Sequence, residues 1–287
     1  MQQTPDLIQR LSRSGGRLSK SHRRIAEYIA AHYDKAVYMT ASKLGETVGV
    51  SESTVVRFAV AMGYEGYPQL QHSLRELVRH RLTATQRFEM SADLNEGNVL
   101  STVLRADMQN IRSTIEGIDS AAFSRAVEAI SGAKRIYVLG LRSAGPLAEF
   151  AGYYLHYIFD DVRVVAAASA DVFEAISRIA PEDVLLGISF PRYSSRTIEA
   201  MQFARSRQAR VIGITDGPMS PLHDAADICL SVSTDMASFV DSMAAPMSVV
   251  NALIVALGLK NRDALAARFK QLEEVWDAYS VYMNESK

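Results

Sequence analysis

Short apolar runs that alternate with helical segments constrain the fold of this chain more than any other feature. Five runs rich in β-branched residues follow one another from Lys134 onwards, with segments of helical periodicity among them. Strands that are apolar at nearly every position are buried on both faces, which is typical of parallel sheets built from βαβ units. We therefore predict a three-layer α/β domain with a five-stranded parallel sheet, its strands at Arg135–Leu139, Val162–Val165, Val184–Ile188, Arg210–Thr215 and Ile228–Val232.

Helical segments are predicted before, among and after these strands. Their predicted bounds are Asn98–Ile118, Ser120–Ile130, Pro146–Phe159, Ala170–Ile179, Ser195–Arg207, Ser238–Leu257 and Arg262–Tyr282. The longest apolar stretch, Met243–Gly258, contains Pro246, Ser248 and Asn251 and is shorter than the roughly 18 residues that a membrane span requires. We therefore predict a buried helix there and no contact with a membrane.

Residues 41–60 have the pattern of a helix-turn-helix, in which two helices cross through a tight turn. Gly45 supplies a small residue where the helices approach, and Gly49 can adopt the positive φ that ends the first helix. Ser51 is expected to cap the second helix, which begins at Glu52 and ends near Met62. The inward positions of the two helices are filled by Leu44, Val48, Val50, Val55 and Phe58.

The second helix of this motif is predicted to read DNA, because its exposed N-terminal residues are short hydrogen-bonding groups and one guanidinium. Basic residues also crowd the start of an earlier helix that Ser19 or Ser21 can cap. Cations there oppose the helix macrodipole, so contact with DNA phosphates would explain their position. The alternatives are a solvated charged face and a helical hairpin used only for protein contact. The candidate DNA-binding residues are Arg17, Lys20, Arg23, Ser51, Ser53, Thr54 and Arg57.

Charge and periodicity divide the chain into two domains. The first 90 residues contain 13 Lys and Arg against 8 Asp and Glu, whereas the remainder contains 18 against 24. A basic first part supports contact with nucleic acid. We expect an all-α helix-turn-helix domain at residues 1–82, a polar linker at 83–97 and the α/β domain at 98–287. The single cysteine, Cys229, excludes a disulfide framework and fits a reducing, cytoplasmic location.

The loop after the first strand, residues 140–145, opens onto a helix, because Pro146 suits the first helical turn. The free amides of that helix favour an anion. The G-x-x-x-x-G spacing is not the G-x-G-x-x-G of a dinucleotide site, and Gly145 lacks the Lys and Ser or Thr that complete a P-loop. No cofactor is therefore predicted, and the absence of a Cys/His cluster argues against a structural metal site.

The loop after the third strand, residues 189–197, holds four hydroxyl residues and two arginines within nine positions. Side-chain donors and free amides at the end of a central strand predict a cradle for phosphate or carboxylate. Thr234, Ser238 and Asp241 could close the same pocket. The structural alternative is that the serines only cap the helix while the arginines are solvated. The candidate effector-binding residues are Arg142, Ser143, Ser189, Arg192, Ser194, Ser195 and Thr197.

Residues 50–58 and 63–67, VSESTVVRF and GYEGY, resemble the N-terminal domain of the RpiR/MurR family of bacterial transcription regulators. The pattern from Lys134 to about Leu257 is similar to a SIS (sugar isomerase) domain, the second half of that family. The resemblance implies a homo-oligomer, dimer or tetramer, that binds double-stranded operator DNA and a phosphosugar-like effector. It also matches Ser143, Ser189, Ser194 and Thr197 to the hydroxyl residues of the SIS loops.

Two departures from the family pattern affect these expectations. Residues 190–193 lengthen the usual S-x-S-G-x-T loop and add the guanidinium of Arg192, so a carboxylate can accompany or replace the phosphate. Ala59, Val60 and Ala61 replace basic residues of the second helix, which shifts phosphate contacts to the arginines before residue 25.

We therefore predict a ligand-responsive transcription regulator and no catalytic activity. The alternative is an aldose-ketose isomerase, which needs a general base within reach of the substrate carbon. His156 and His223 lie outside both loops, and Glu149 and Glu199 lie at least one turn along predicted helices. A binding module that acts only through protein partners is the third possibility.

Overall fold

The computed structural model describes residues 18–37, 39–79, 83–90, 96–166, 171–236 and 238–283. Contacts between Cα atoms divide the chain into two compact units, with the division between Met90 and Ser91. The candidate residue Arg17 lies outside the described residues.

The first unit is entirely helical, as predicted. Its helices are α1 (Lys20–Ala31), α2 (Tyr33–Ala36), α3 (Ala41–Val48), α4 (Glu52–Ala61), α5 (Tyr67–Arg79) and α6 (Ala84–Met90). Ser19 caps α1, since its Oγ accepts a hydrogen bond of 3.2 Å from the backbone N–H of His22. The short α6 lies within the segment predicted as a linker.

The helix-turn-helix consists of α3 and α4. Gly49 ends α3 with a φ of 70°, and Ser51 caps α4 through a 3.3 Å hydrogen bond from the N–H of Thr54. A Cβ added to Gly45 would lie 2.7 Å from the carbonyl oxygen of Val50, so the two helices approach too closely for a side chain there. Val50 itself is half-buried, whereas the other predicted inward positions, Leu44, Val48, Val55 and Phe58, are buried.

The second unit is a parallel α/β domain, as predicted. Its strands are β1 (Ile136–Gly140), β2 (Val162–Val165), β3 (Val184–Ile188), β4 (Arg210–Thr215) and β5 (Ile228–Ser231). All neighbouring pairs are parallel, in the order β2-β1-β3-β4-β5, so β3 is central. The helices are α7 (Val99–Gly117), α8 (Ser120–Ser131), α9 (Gly145–Ile158), α10 (Val172–Ile176), α11 (Ser195–Ser206), α12 (Pro221–Ala225), α13 (Ala244–Lys260) and α14 (Arg262–Ala278).

Several predicted helix bounds are wrong, each for a local reason. Helix α13 begins at Ala244 instead of Ser238; the Ser238 side chain accepts a hydrogen bond from the N–H of Val240 in the preceding loop, and Ser242 donates a 2.6 Å hydrogen bond to Asp107 of α7. Helix α10 begins after Asp171, whose carboxylate caps it. Helix α14 ends before Tyr279, where Ser280 takes a positive φ of 50°. Helix α12 was not predicted.

The predicted buried helix, α13, is buried on one face only. Val249, Val250, Leu253 and Leu257 pack into the core, whereas the opposite face, including Val255, is exposed. Within the described ranges no single helix is long and apolar enough to span a membrane, and α13 and α14 satisfy that test only as a pair bent by 99°.

Candidate DNA-binding and effector sites

The hydroxyl residues at the start of α4 form one exposed cluster. Ser51 Oγ lies 3.0 Å from Ser53 Oγ and 2.8 Å from Thr54 Oγ1. The Arg57 guanidinium is held beside them, since it donates to Thr54 Oγ1 (3.4 Å) and its Nε donates to the Ser53 carbonyl (3.3 Å). The structure therefore brings all four candidate residues of α4 together on its N-terminal half, the part of a reading helix that contacts base edges.

Helix α1 places further cations beside this motif. It packs against α3 and α4, and the His22 ring contacts the Phe58 ring of α4 edge-on, with centroids 5.6 Å apart. Lys20 and Arg23 are exposed on α1. Arg24 was not a candidate, yet a Cβ added to Gly49 would lie 2.9 Å from its guanidinium, which places Arg24 at the turn of the motif. The charge cluster before residue 25 was the signal that could have included it.

The two predicted effector loops leave neighbouring strands at the same edge of the sheet. Gly140, the last residue of β1, pairs with Ile188, the last residue of β3. Parallel strands present their carboxyl ends at one edge, where ligands of α/β proteins bind. The structure therefore brings the loops together, as the sequence predicts.

The first loop is a 3-10 turn, Arg142–Ala144, that leads directly into α9. Arg142 and Ser143 are exposed on it. Ser143 Oγ donates to a carboxylate oxygen of Asp241 at 3.5 Å, so the suggested pocket-closing segment does reach this loop. Of the other two residues suggested there, Thr234 is buried and Ser238 accepts a hydrogen bond from the N–H of Val240.

In the second loop, two serine hydroxyl groups accept hydrogen bonds from backbone N–H groups. Ser189 is buried, and its Oγ accepts from the N–H of Ser194 at 3.3 Å. Ser194 in turn caps α11 by accepting from the N–H of Thr197 at 3.4 Å. Thr197 is fully buried, and its Oγ1 has no hydrogen-bond partner among the described residues. Ser195 and Arg192 are exposed.

Both loops contain an arginine in a strained backbone conformation. Arg142 has a φ of 56° and Arg192 a φ of 65°, a region that costs a residue with a side chain about 1 kcal/mol or more. Such strain persists where the surrounding structure enforces it, and it concentrates at ligand sites. The structural alternative, serines that cap the helix and arginines that are solvated, fits Ser194 and the exposure of Arg142 and Arg192, but it does not explain why both arginines have a positive φ.

Sequence reasoning missed a carboxylate at the same edge. Asp216 directly follows β4, and its Oδ1 accepts hydrogen bonds from Tyr193 Oη (2.6 Å) and Thr215 Oγ1 (3.1 Å). A carboxylate placed directly after a strand was the available signal. Cys229 in β5 is half-buried, and burial, aided by the Asp216 charge, raises the pKa of its thiol to about 11. A thiol with so high a pKa is almost entirely protonated at neutral pH and therefore a poor nucleophile.

A buried polar cluster ties α7 to the segment that follows β5. Asn110 is fully buried, donates to the carbonyl of Asp235 (2.8 Å) and accepts from the Ser233 hydroxyl (3.1 Å). Thr114, one turn later, accepts from the N–H of Ser233 at 2.9 Å. Ser242, which directly follows Asp241, donates a hydrogen bond to Asp107 of α7, so α7 is connected to Asp241 and hence to the first effector loop.

A helix-turn-helix unit followed in the chain by a parallel α/β domain is the arrangement of a class of two-domain transcription regulators. The model for "Helix-turn-helix domain, rpiR family" matches residues 6–80, and the model for "SIS domain" matches residues 129–256. The chain belongs to the rpiR family of DNA-binding transcription regulators that carry a SIS domain.

Known relatives agree with this assignment along nearly the whole chain. The transcriptional regulator HexR of Escherichia coli is 23% identical over 278 residues, 94% of this chain and 93% of HexR. Vibrio vulnificus NanR, in its structure complexed with ManNAc-6P, is 20% identical in sequence, with a TM-score of 0.58. The match covers 94% of this chain and 98% of the NanR chain. The sugar isomerase domain of an RpiR transcription factor from Sphaerobacter thermophilus is 24% identical, with a TM-score of 0.59, and covers 62% of this chain and 99% of its own.

Proposed function

We propose that this regulator binds operator DNA through α1 and α4 and that a small anionic sugar derivative at the SIS domain changes that binding. The observation that carries the effector part is the pair of exposed, strained arginines, Arg142 and Arg192, on adjacent loops. The proposal includes a cytoplasmic location, because the operator is chromosomal.

The DNA-binding part of the proposal gives different roles to the two helices. Ser53 and Arg57 contact base edges, since they lie near the N-terminal end of α4. Lys20 and Arg23 of α1 contact phosphates, which position the helix without reading sequence. Ser51 and Thr54 keep Ser53 and Arg57 in position, because Ser51 caps α4 and Thr54 accepts a hydrogen bond from the Arg57 guanidinium.

The effector part combines two kinds of anion recognition. The N-termini of α9 and α11, with Ser143, Ser194 and Ser195, suit a phosphate. Arg142 and Arg192 suit a second anionic group such as a carboxylate, because a guanidinium can bind one through two hydrogen bonds. We therefore propose a phosphosugar or a sugar acid, and the ManNAc-6P in the NanR structure supports the phosphosugar class.

The polar cluster around Asn110 supports a route from effector to DNA. A ligand that displaces the Asp241 carboxylate from Ser143 would move the segment that α7 holds through Asn110 and Thr114. Because α7 is the first long helix after the DNA-binding unit in the chain, its displacement would alter the spacing of two reader helices. Such control requires that the effector bind one of the two states more tightly.

Self-association completes the proposal, because two-fold dimers bind pseudo-palindromic operators. A groove of about 410 Å³ between α7, α8 and α13 is lined mainly by apolar side chains such as Ile111, Phe123 and Val249. Exposed apolar residues continue this face along α7 and α13: Leu100, Leu104, Met108, Ile115, Val255 and Leu259. We propose that a second copy of the chain covers it.

Sedimentation would test the proposed dimer face. Met108→Glu should shift the protein from dimer towards monomer, because it buries a charge in an apolar interface. Met219→Glu alters an equally exposed methionine in a loop and should leave the sedimentation coefficient unchanged. An unchanged dimer in the first variant would place the interface elsewhere.

A mobility-shift experiment on the protein's own upstream region would test the function. Sequence-selective retardation at moderate salt is expected, and a thermal-shift screen of sugar phosphates and sugar acids should find a ligand that raises the unfolding temperature. That ligand should then change the retardation. No selective retardation would contradict the DNA part, and a ligand without effect on DNA binding would contradict the regulatory part.

We propose no catalytic activity. The candidate bases Glu149 and Glu199 are exposed on α9 and α11, and His156 Nδ1 lies 2.6 Å from the Gly152 carbonyl, within its own helix. A coupled isomerase assay on a panel of sugar phosphates should therefore show no turnover. Turnover that is lost in Glu149→Gln or Glu199→Gln would favour the isomerase instead.

A further inference from the structure

Helix α4 carries an apolar surface that the hydrogen-bonding residues do not account for. Val56 is 38% exposed and Val60 is 54% exposed. Among the described side chains between residues 18 and 74, these are the exposed large hydrophobic residues, since the others pack into or against the core of the helical unit. Among the described residues from 18 to 74, the exposed large apolar side chains are therefore confined to α4.

The two valines share a face with the predicted base-reading residues. At 100° per residue, Ser53, Val56, Arg57 and Val60 lie on the side of α4 opposite the buried Val55, Phe58 and Ala59. Val56 follows Ser53 by three positions, and Val60 follows Val56 by four. A surface that touches the Ser53 and Arg57 side chains therefore also meets at least one valine.

Valine at an exposed helical position needs an explanation. Its branched side chain restricts χ1 and gives it a lower helix propensity than Ala, Lys, Arg or Glu. The same stiffness lowers the entropy lost when the side chain is buried by a partner. Two stiff apolar groups on a helix surface are therefore suited to a binding face.

The charges around the valines select DNA as the partner. Arg57 lies on the same face, and Lys20, Arg23 and Arg24 lie on α1, which packs against α4. Cations on α4 and on the helix packed against it suit a polyanion such as DNA, whose phosphates flank each groove. Within the major groove the apolar feature of the base edges is the thymine methyl group.

We propose that Val56 and Val60 contact thymine methyl groups and thereby give the operator half-site a requirement for thymine. The inference rests on the proposed function, because it assumes that α4 enters the major groove. Val56 is nearer the N-terminal end and contacts the base pair beside the one read by Ser53 and Arg57. Val60 lies about 6 Å further along the helix axis and reaches a different base pair.

Uracil substitution tests the proposal on the full-length protein. In the operator fragment selected from the upstream region, each thymine is replaced in turn by uracil, which lacks the methyl group and keeps the base pairing. At one or two positions per half-site, the wild-type affinity measured by fluorescence anisotropy should fall about three- to fivefold, the value of one buried methyl-sized group. Uracil outside the protected region is the matched DNA control.

The valine variants connect each methyl group to its side chain. Val56→Ala and Val60→Ala should each bind thymine and uracil equally at one of the sensitive positions and retain the sensitivity at the other. Both side chains are exposed, so unfolding temperatures should remain near that of the wild type. Val56→Thr keeps one branch methyl and should retain part of the discrimination.

The experiments distinguish a failure of this inference from a failure of the proposed function. Selective DNA binding that uracil leaves unchanged at every thymine overturns this inference and leaves the proposed function intact. Sensitivity to uracil that persists unchanged in both alanine variants also overturns it. If the wild-type protein retards no DNA selectively, both the proposed function and this inference are wrong.

Discussion

The two units of this protein use hydroxyl groups in opposite ways. On α4, Ser51, Ser53 and Thr54 are at or near the surface and hydrogen-bond to one another. In the loop after β3, Ser189 and Thr197 are buried, and the Ser189 hydroxyl is bonded to the backbone. The first arrangement suits a large, hydrated partner, whereas the second suits a small ligand that fits a preformed framework. Substitutions of the exposed Ser53 and Arg57 should therefore affect binding alone, whereas those in the β3 loop should affect both binding and stability.

The units also differ in backbone strain. The turn of the helix-turn-helix uses Gly49 for its positive φ, at little steric cost. The effector loops place Arg142 and Arg192 in the same region of φ, where their side chains make the conformation unfavourable. Among the described residues, all four non-glycine residues with a positive φ lie in the SIS unit, and two of them, Arg142 and Arg192, are at the candidate ligand edge.

The largest difference between the two sites should be their dependence on salt. If a dimer contacts six or more phosphates through residues such as Lys20 and Arg23 of each copy, operator affinity should fall roughly a thousandfold between 50 and 200 mM salt. Effector affinity should fall much less, because one small anion meets only Arg142 and Arg192. Anisotropy for DNA and calorimetry for the effector would measure both, and equal slopes would contradict the assignment of the two sites.

Arg57→Ala should separate DNA reading from effector binding. Removing a base-edge guanidinium should weaken specific DNA binding by about 1–3 kcal/mol, which is roughly fivefold to 150-fold. The effector-induced rise in unfolding temperature should not change. Lys43→Ala removes an exposed cation of α3, paired with Glu46, and is the matched control. An equal loss in both variants would indicate a general effect of charge.

Ser189→Ala should produce the reverse pattern at a smaller magnitude. It removes the oxygen that accepts from the N–H of Ser194, so effector affinity should fall about tenfold and stability by about 1 kcal/mol. DNA affinity without effector should remain that of the wild type. Ser206→Ala removes a hydroxyl from the far end of α11 and serves as control. Weaker DNA binding in Ser189→Ala without effector would contradict the division of roles.

Ser242→Ala should give the smallest effect, on coupling alone. It removes the donor of the 2.6 Å hydrogen bond to Asp107 of α7, outside both sites. Each separate affinity should stay within about twofold, while the ratio of DNA affinities with and without effector falls a fewfold. Ser101→Ala, at the start of α7, is the control. An unchanged ratio would show that this contact carries no coupling.

The sheet and the helix-turn-helix were largely predictable from the sequence, because both depend on repeated apolar positions. The predicted bounds of β2, β3 and β4 match the structure, since strands buried on both faces are apolar throughout. The Gly45 and Gly49 positions were predictable because few residues satisfy a close approach or a positive φ. The repeated apolar positions and the two glycines were therefore sufficient to predict the sheet and the helix-turn-helix.

The sequence predicted which residues gather at the candidate effector site, but it did not predict their backbone conformations or their burial. The sequence placed Arg142, Ser143, Ser189 and Arg192 at one sheet edge, which the strand order confirms. It gave no sign that Arg192 adopts a positive φ, because no glycine marks the position. It also gave no sign of the full burial of Thr197 or of the hydrogen bond from Ser242 to Asp107 just before α13. Such contacts between distant segments leave no periodic pattern.

The raised pKa of Cys229 has a practical consequence for measuring motion in this protein. At neutral pH, a thiol with a pKa of about 11 is several hundredfold less ionised than an introduced surface cysteine with a pKa near 8.5. A maleimide dye should therefore label a cysteine engineered onto α4 while the native thiol remains unmodified. Energy transfer between the two labelled copies of a dimer would then report directly how far the reader helices move when an effector is added.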